Sequence, residues 1–220
     1  MSALEITVRG RAEHRYRPEQ GTVLLSAVFT ESTSGSAQAK ALELQSEVVA
    51  ELTRLDETNA LNTWHANDIH FFGHRPWVDG KLSSDIVYTT RIAMTAEFLD
   101  FAALAAFLVD WAGRDGLEVG QIVWDVLNEN RPRYEAAVRR EAVRDAVGKA
   151  QAYADAVGRG TVTAVALADP DMLGTAQPEP GPMLARAVMS DMGGSELSLD
   201  LRPEDIVIAV AVDARFTVGD

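Results

Sequence analysis

From Leu4 to Arg17 the chain alternates: Ile6, Val8, Ala12, His14 and Tyr16 share one side, and Thr7, Arg9, Arg11, Glu13, Arg15 and Arg17 the other. A period of two predicts a half-buried strand, ended by Pro18. The turn Pro18-Glu19-Gln20-Gly21 leads into a second, more apolar strand over Thr22–Glu31. After Ser34-Gly35-Ser36 the period changes. Ala41, Leu44, Val48, Leu52 and Leu55 recur at intervals of three and four, which is one stripe of a helix. Strand patterns return over Asn62–Arg75 and Ser83–Glu97, with an Asp-Gly turn between them in Pro76–Lys81. A short apolar helix spans Leu99–Gly113, with Phe101, Leu104, Ala105, Leu108 and Ala112 on one side, and a strand covers Leu117–Asn128. Asn130, with Pro132 in the first turn, opens a long helix. Its expected core stripe is Ala136, Val143, Val147, Ala150, Ala154 and Val157. Its wet side is Arg140, Glu141, Arg144, Asp145 and Lys149, and Gly158 ends it. Thr161–Ala168 and Asp205–Val218 complete the strands.

The order is β-β-α-β-β-α-β-α-β-β. Consecutive strands are joined by turns rather than by crossover helices, so antiparallel pairing should dominate. The expectation is a single α+β domain over residues 1–220, with two layers: a mainly antiparallel twisted sheet covered by two long helices and one short one. The hairpin Trp64–Arg75 with Ser83–Glu97 is expected to project beyond the core. Residues 169–203, rich in proline, glycine and methionine, are expected to be a lid, an interaction loop or a mobile surface loop.

Charge and composition narrow the function. Thirty-three acidic against 20 basic residues give a net charge of −13, which repels phosphate backbones and argues against a nucleic-acid partner. The chain has no cysteine, which excludes disulfides, thiolate catalysis and Cys-ligated metals. The start MSALEITVRG carries no basic and apolar leader pattern, and no window is apolar enough for a membrane span, so a cytoplasmic protein is expected. Among the four histidines, strand alternation places His65 on the face opposite His70 and His74. His70 and His74 are roughly 13 Å apart at ~3.3 Å per residue. No metal site is expected. Neither GxSxG, HExxH nor a glycine-rich phosphate loop is present, so no cofactor and no catalytic residues are assigned and the chain is expected not to be an enzyme.

Trp64, Phe71, Phe72, Trp77 and Tyr88 concentrate in one hairpin. They form either a local hydrophobic cluster or a subunit contact, since aromatics are enriched at interfaces. They are the candidate interface of a homo-oligomer. The 169–203 loop supplies two further readings: a lid over a small-molecule site, or an adaptor surface for a protein partner.

The chain resembles the SIMPL-domain family. ITVRGRAEHRYRPEQGTVLLSAVFTE is similar to the family's first hairpin, and AQAKALELQSEVVAELTRL sits where its first helix does. RYEAAVRREAVRDAVGKAQAYADAVGRG resembles its alanine-rich long helix, and LRPEDIVIAVAVDARFTV its closing strand. The strand at Ser83 begins SSDIVYTT where members often have Gly-Tyr, and GLEVGQ lacks their usual asparagine. The resemblance implies an α+β fold and, from some members, ring-like or channel-like homo-oligomers. It carries over no catalytic residue.

Overall fold

The first change of period coincides with a cap. Thr33 has extended backbone angles and its side chain accepts from the Ser36 amide, so the chain leaves a strand and enters a helix at that residue. The computed structural model describes residues 4–78, 80–173 and 199–219. Its elements are β1 (Leu4–Tyr16), β2 (Gln20–Glu31), α1 (Ser34–Glu57), β3 (Leu61–His74), β4 (Trp77–Val78), β5 (Lys81–Leu82), β6 (Val87–Phe98), α2 (Phe101–Trp111), β7 (Leu117–Asp125), α3 (Arg131–Ala156), β8 (Val162–Ala168) and β9 (Ile206–Val218). The expected α+β order is present, with β4 and β5 added as a small hairpin. Gly80 sits there at φ +74°, a conformation glycine adopts without strain.

Among the described residues, every strand pair is antiparallel. The strands divide between a sheet of order β1-β9-β8 and a sheet of order β3-β6-β2-β7, beside the small β4-β5 hairpin. They belong to two compact units. Among the described residues, one comprises 4–17, 126–173 and 205–219, the other 18–78, 80–125 and 199–204.

In the unit holding the four-stranded sheet, α1 buries the predicted stripe Ala41, Leu44, Val48, Leu52 and Leu55, together with Ala37. These pack with Val23, Leu25, Ala27, Ile92, Met94, Ala96 and Phe98 from the central strands. Asp100 caps α2 by accepting from the Ala102 and Ala103 amides. The buried side of α2 is Leu104, Phe107, Leu108 and Trp111, which replaces the expected Phe101, Ala105 and Ala112. Phe107 lies between Phe98 and Trp111, and Trp111 stacks on its ring, so aromatic packing turns the helix.

In the other unit, α3 lies on the three-stranded sheet. Its buried stripe is Val138, Ala142, Ala146, Ala150 and Ala154, not the expected one that counted Ala136, Val143, Val147 and Val157. The bulkier valines were the natural core candidates by hydrophobicity. Close approach selects alanine instead: a Cβ built on Gly10 of β1 would stand 2.0 Å from the Ala142 carbonyl oxygen and 2.8 Å from the Ala146 Cβ. The wet side also does structural work. Asp145 accepts from the Arg11 amide, Lys149 donates to the Arg9 carbonyl, and the two pair with each other at 2.6 Å. They occupy backbone groups on the outer edge of β1 that would otherwise face water.

Candidate functional site

The candidate interface residues lie on β3, β4 and β6, and the structure sorts them. Trp64 faces α1 and packs against the core with Ala66. Tyr88 is half-buried, opposite Gly73 on β3 and Glu31 on β2. A Cβ at Gly73 would come within 3.3 Å of the Tyr88 ring, so the glycine makes room for it. Phe71, Phe72 and Trp77 are exposed, at 58%, 52% and 74%. Phe71 and Phe72 project from opposite faces of β3, as neighbours on a strand must. Both line an open depression of about 190 Å³ with Ser34, Gly73, Tyr88, Thr89 and Thr90. Ile69, Leu82 and Ile86 extend the exposed apolar surface. These three are aliphatic, and the alternation that exposes Phe71 also marks Ile69.

β3 is 14 residues long and is an edge of its sheet: β6 lies on one side, and no described strand lies on the other. Between Leu61 and His74 it contains neither lysine nor proline, residues with which edge strands discourage pairing. It carries irregularities after Leu61 and after Ala66. The second one corrects the histidine geometry expected from strict alternation. His65 stands opposite Thr95, Asp68 opposite Ala93 and His70 opposite Arg91. The extra residue at position 67 reverses the parity, so His65, Asp68, His70, Phe72 and His74 share one face. His70 Nε2 lies 3.2 Å from Asp68 Oδ1. Among the described residues, no three metal-capable side chains converge.

A second feature lies where residues 169–203 leave the other sheet. Most of that segment falls outside the described residues; its first residues do not. Arg9 forks onto Asp213, with Nε at 2.6 Å from Oδ1 and Nη2 at 3.0 Å from Oδ2, and Nη2 also reaches Asp171 at 2.7 Å. The Asp171 amide donates to Asp213 at 2.8 Å. Asp171 has φ +67°, unusual for a residue with a side chain, and these bonds hold it there. The Arg9 hydrogen bonds hold the Asp213 carboxyl below the usual range, helped by the Asp171 amide. The same carboxylates raise the Arg9 guanidinium. This cluster anchors the root of the long segment on the sheet.

The family model SIMPL, described as "Protein of unknown function (DUF541)", matches residues 6–216. No curated protein matches the chain. Among the described residues, no helix is long and apolar enough to cross a membrane.

Proposed function

We propose, starting from the fact that this chain belongs to the SIMPL family, that it works by self-assembly rather than by catalysis and that copies meet along β3. The observation that carries this reading is a long edge strand without lysine or proline that also exposes Ile69, Phe71 and Phe72. The contrast with β1 supports it. There, Asp145 and Lys149 of α3 occupy the edge; nothing among the described residues does so for β3. Apolar side chains gathered on one hairpin, with Trp77 and Leu82 at its tip, lose their contact with water when a second copy covers them. A β3-to-β3 contact pairs the same surface on both copies and gives a two-fold dimer; β3 seated on a different surface of the next copy is head-to-tail and closes into a ring when the rotation between copies allows.

Light scattering coupled to size separation tests the reading. The native chain should run as a defined oligomer. Phe72→Asp should shift it toward the monomer, and Trp77→Ala should do so more weakly, both with unchanged circular dichroism and unfolding midpoint. Both side chains are exposed in the single copy, so their loss should not cost the core. A native chain that stays strictly monomeric at high concentration would sink the proposal.

A further inference from the structure

β9 outruns one of its two neighbours. β1 pairs with it along its whole length, from Leu4 opposite Val218 to Tyr16 opposite Ile206. β8 pairs with it only from Val162 opposite Val218 to Ala168 opposite Asp213. Beyond Ala168 the chain turns away from the edge, where the Asp171 amide meets Asp213. From Ile206 to Val212, β9 therefore has β1 on one side and no described strand on the other.

Helix α3 lies over the same stretch. Val138 and Ile208 are buried together, with Ile206 and Val210 against them, and Val143 and Val210 pack on the cluster that contains Val212. One flank of α3 reaches β1 through His14–Glu141, Arg11–Asp145 and Arg9–Lys149. In the order β1-β9-β8 the opposite flank faces the place where β8 would have continued. Ala136, Arg139, Arg140, Val143 and Arg144, all on α3, line an open depression of roughly 540 Å³, and Val143 joins it to the cluster that contains Val210 and Val212. The three arginines are exposed and form no ion pair among the described residues, in a chain with 33 acidic side chains.

We propose that this notch binds an extended peptide segment bearing acidic side chains, which adds as a strand beside residues 206–212 of β9. Backbone hydrogen bonds to the open edge give the segment its direction and register. Alternation then sorts its side chains. Those on the helix side meet Arg139, Arg140 and Arg144, whose forked donors fit carboxylates. Those on the other side lie beside Val207, Ala209 and Ala211, which share the face opposite Ile208 and Val210. A partner with acidic and apolar residues in strict alternation satisfies both sides. Lysine in place of the acid is repelled by the arginines.

The test uses the full chain and two synthetic peptides, one alternating valine with glutamate and one alternating valine with lysine. In fluorescence anisotropy the glutamate peptide should bind at least about tenfold more tightly. In the double variant Arg140→Glu with Arg144→Glu, the preference should reverse while circular dichroism and the unfolding midpoint stay unchanged. Deuterium exchange should slow at alternate amides of 206–212 when the glutamate peptide is present. Equal binding of the two peptides, a preference unaffected by the double variant, or protection that appears on β3 instead would each overturn the proposal. So would a change in oligomeric mass in the double variant with no peptide bound by the native chain, which would assign the notch to a second copy.

Discussion

Replacing Gly10 by valine should lower the unfolding midpoint by about 6–12 °C, corresponding to about 3 kcal/mol or more. Gly10 lies in β1 directly under α3, and a Cβ there would overlap the Ala142 carbonyl oxygen and crowd Ala146. A carbonyl in the middle of a helix cannot rotate aside as a side chain can. The helix must lift, and lifting opens the contacts of Ala142, Ala146 and Ala150 with Val8, Val212, Ala214 and Phe216. Alanine at position 10 should cost less than valine but still be destabilising, because its Cβ alone makes the clash. Ala146→Gly in the valine background should restore only part of the loss, since it removes the Ala146 Cβ but leaves the Ala142 carbonyl oxygen and the backbone nitrogen of residue 146 in the way. Thermal unfolding followed by circular dichroism reads all three variants. An unchanged midpoint for Gly10→Val would mean that α3 does not approach β1 as closely as described.

Asp213→Ala is the second large effect, about 2–4 kcal/mol of destabilisation. Asp213 is 7% exposed and accepts from Arg9 twice and from the Asp171 amide once. Removing the carboxylate leaves the guanidinium with Asp171 alone and the Asp171 amide without its acceptor. Asp213→Asn keeps the shape but loses the charge, and should fall between native and alanine. The pH dependence has a definite sign. The folded-state pKa of Asp213 is depressed, so its contribution is fully present above the unfolded value of about 3.9. It is lost as the pH falls through the lower folded value. The stability gap between native and Asp213→Asn should therefore be constant from neutrality down to about pH 4 and shrink below it. The raised Arg9 pKa adds no pH dependence in that window, because the group is charged throughout it. A gap that widened in acid would contradict the ion pair. Proteolysis within residues 169–173 should also quicken in Asp213→Ala, because the bond that seats Asp171 on the sheet is gone.

The elements were readable because each rests on local patterning. The α1 stripe is an unbroken set of apolar residues at helical spacing, and all five expected members are buried. The α3 stripe departs from its hydrophobicity pattern for a related reason. Hydrophobicity ranks valine above alanine, but the position of the contact is decided by Gly10, more than 130 residues earlier in the chain. No local window contains both halves of that fit. The histidine faces failed in the same way at shorter range. One unpaired residue between Ala66 and Asp68 reverses every later side chain of β3, and a bulge of that kind belongs to the pairing with β6.

The amino-acid order alone therefore determined the strands, the helices, their sequence and their antiparallel habit, because periodicity and turn chemistry act over a few residues. It also marked the aromatic hairpin and, through the whole-chain pattern, the family. Tertiary structure decided which strands became edges, and hence that β3 and the Ile206–Val212 stretch of β9 each have no second strand beside them among the described residues, while α3 guards β1. It also placed Arg9, Asp171 and Asp213 together. Those outcomes depend on where distant segments come to rest against one another, and side-chain volume and charge settle that only after the chain has folded back on itself.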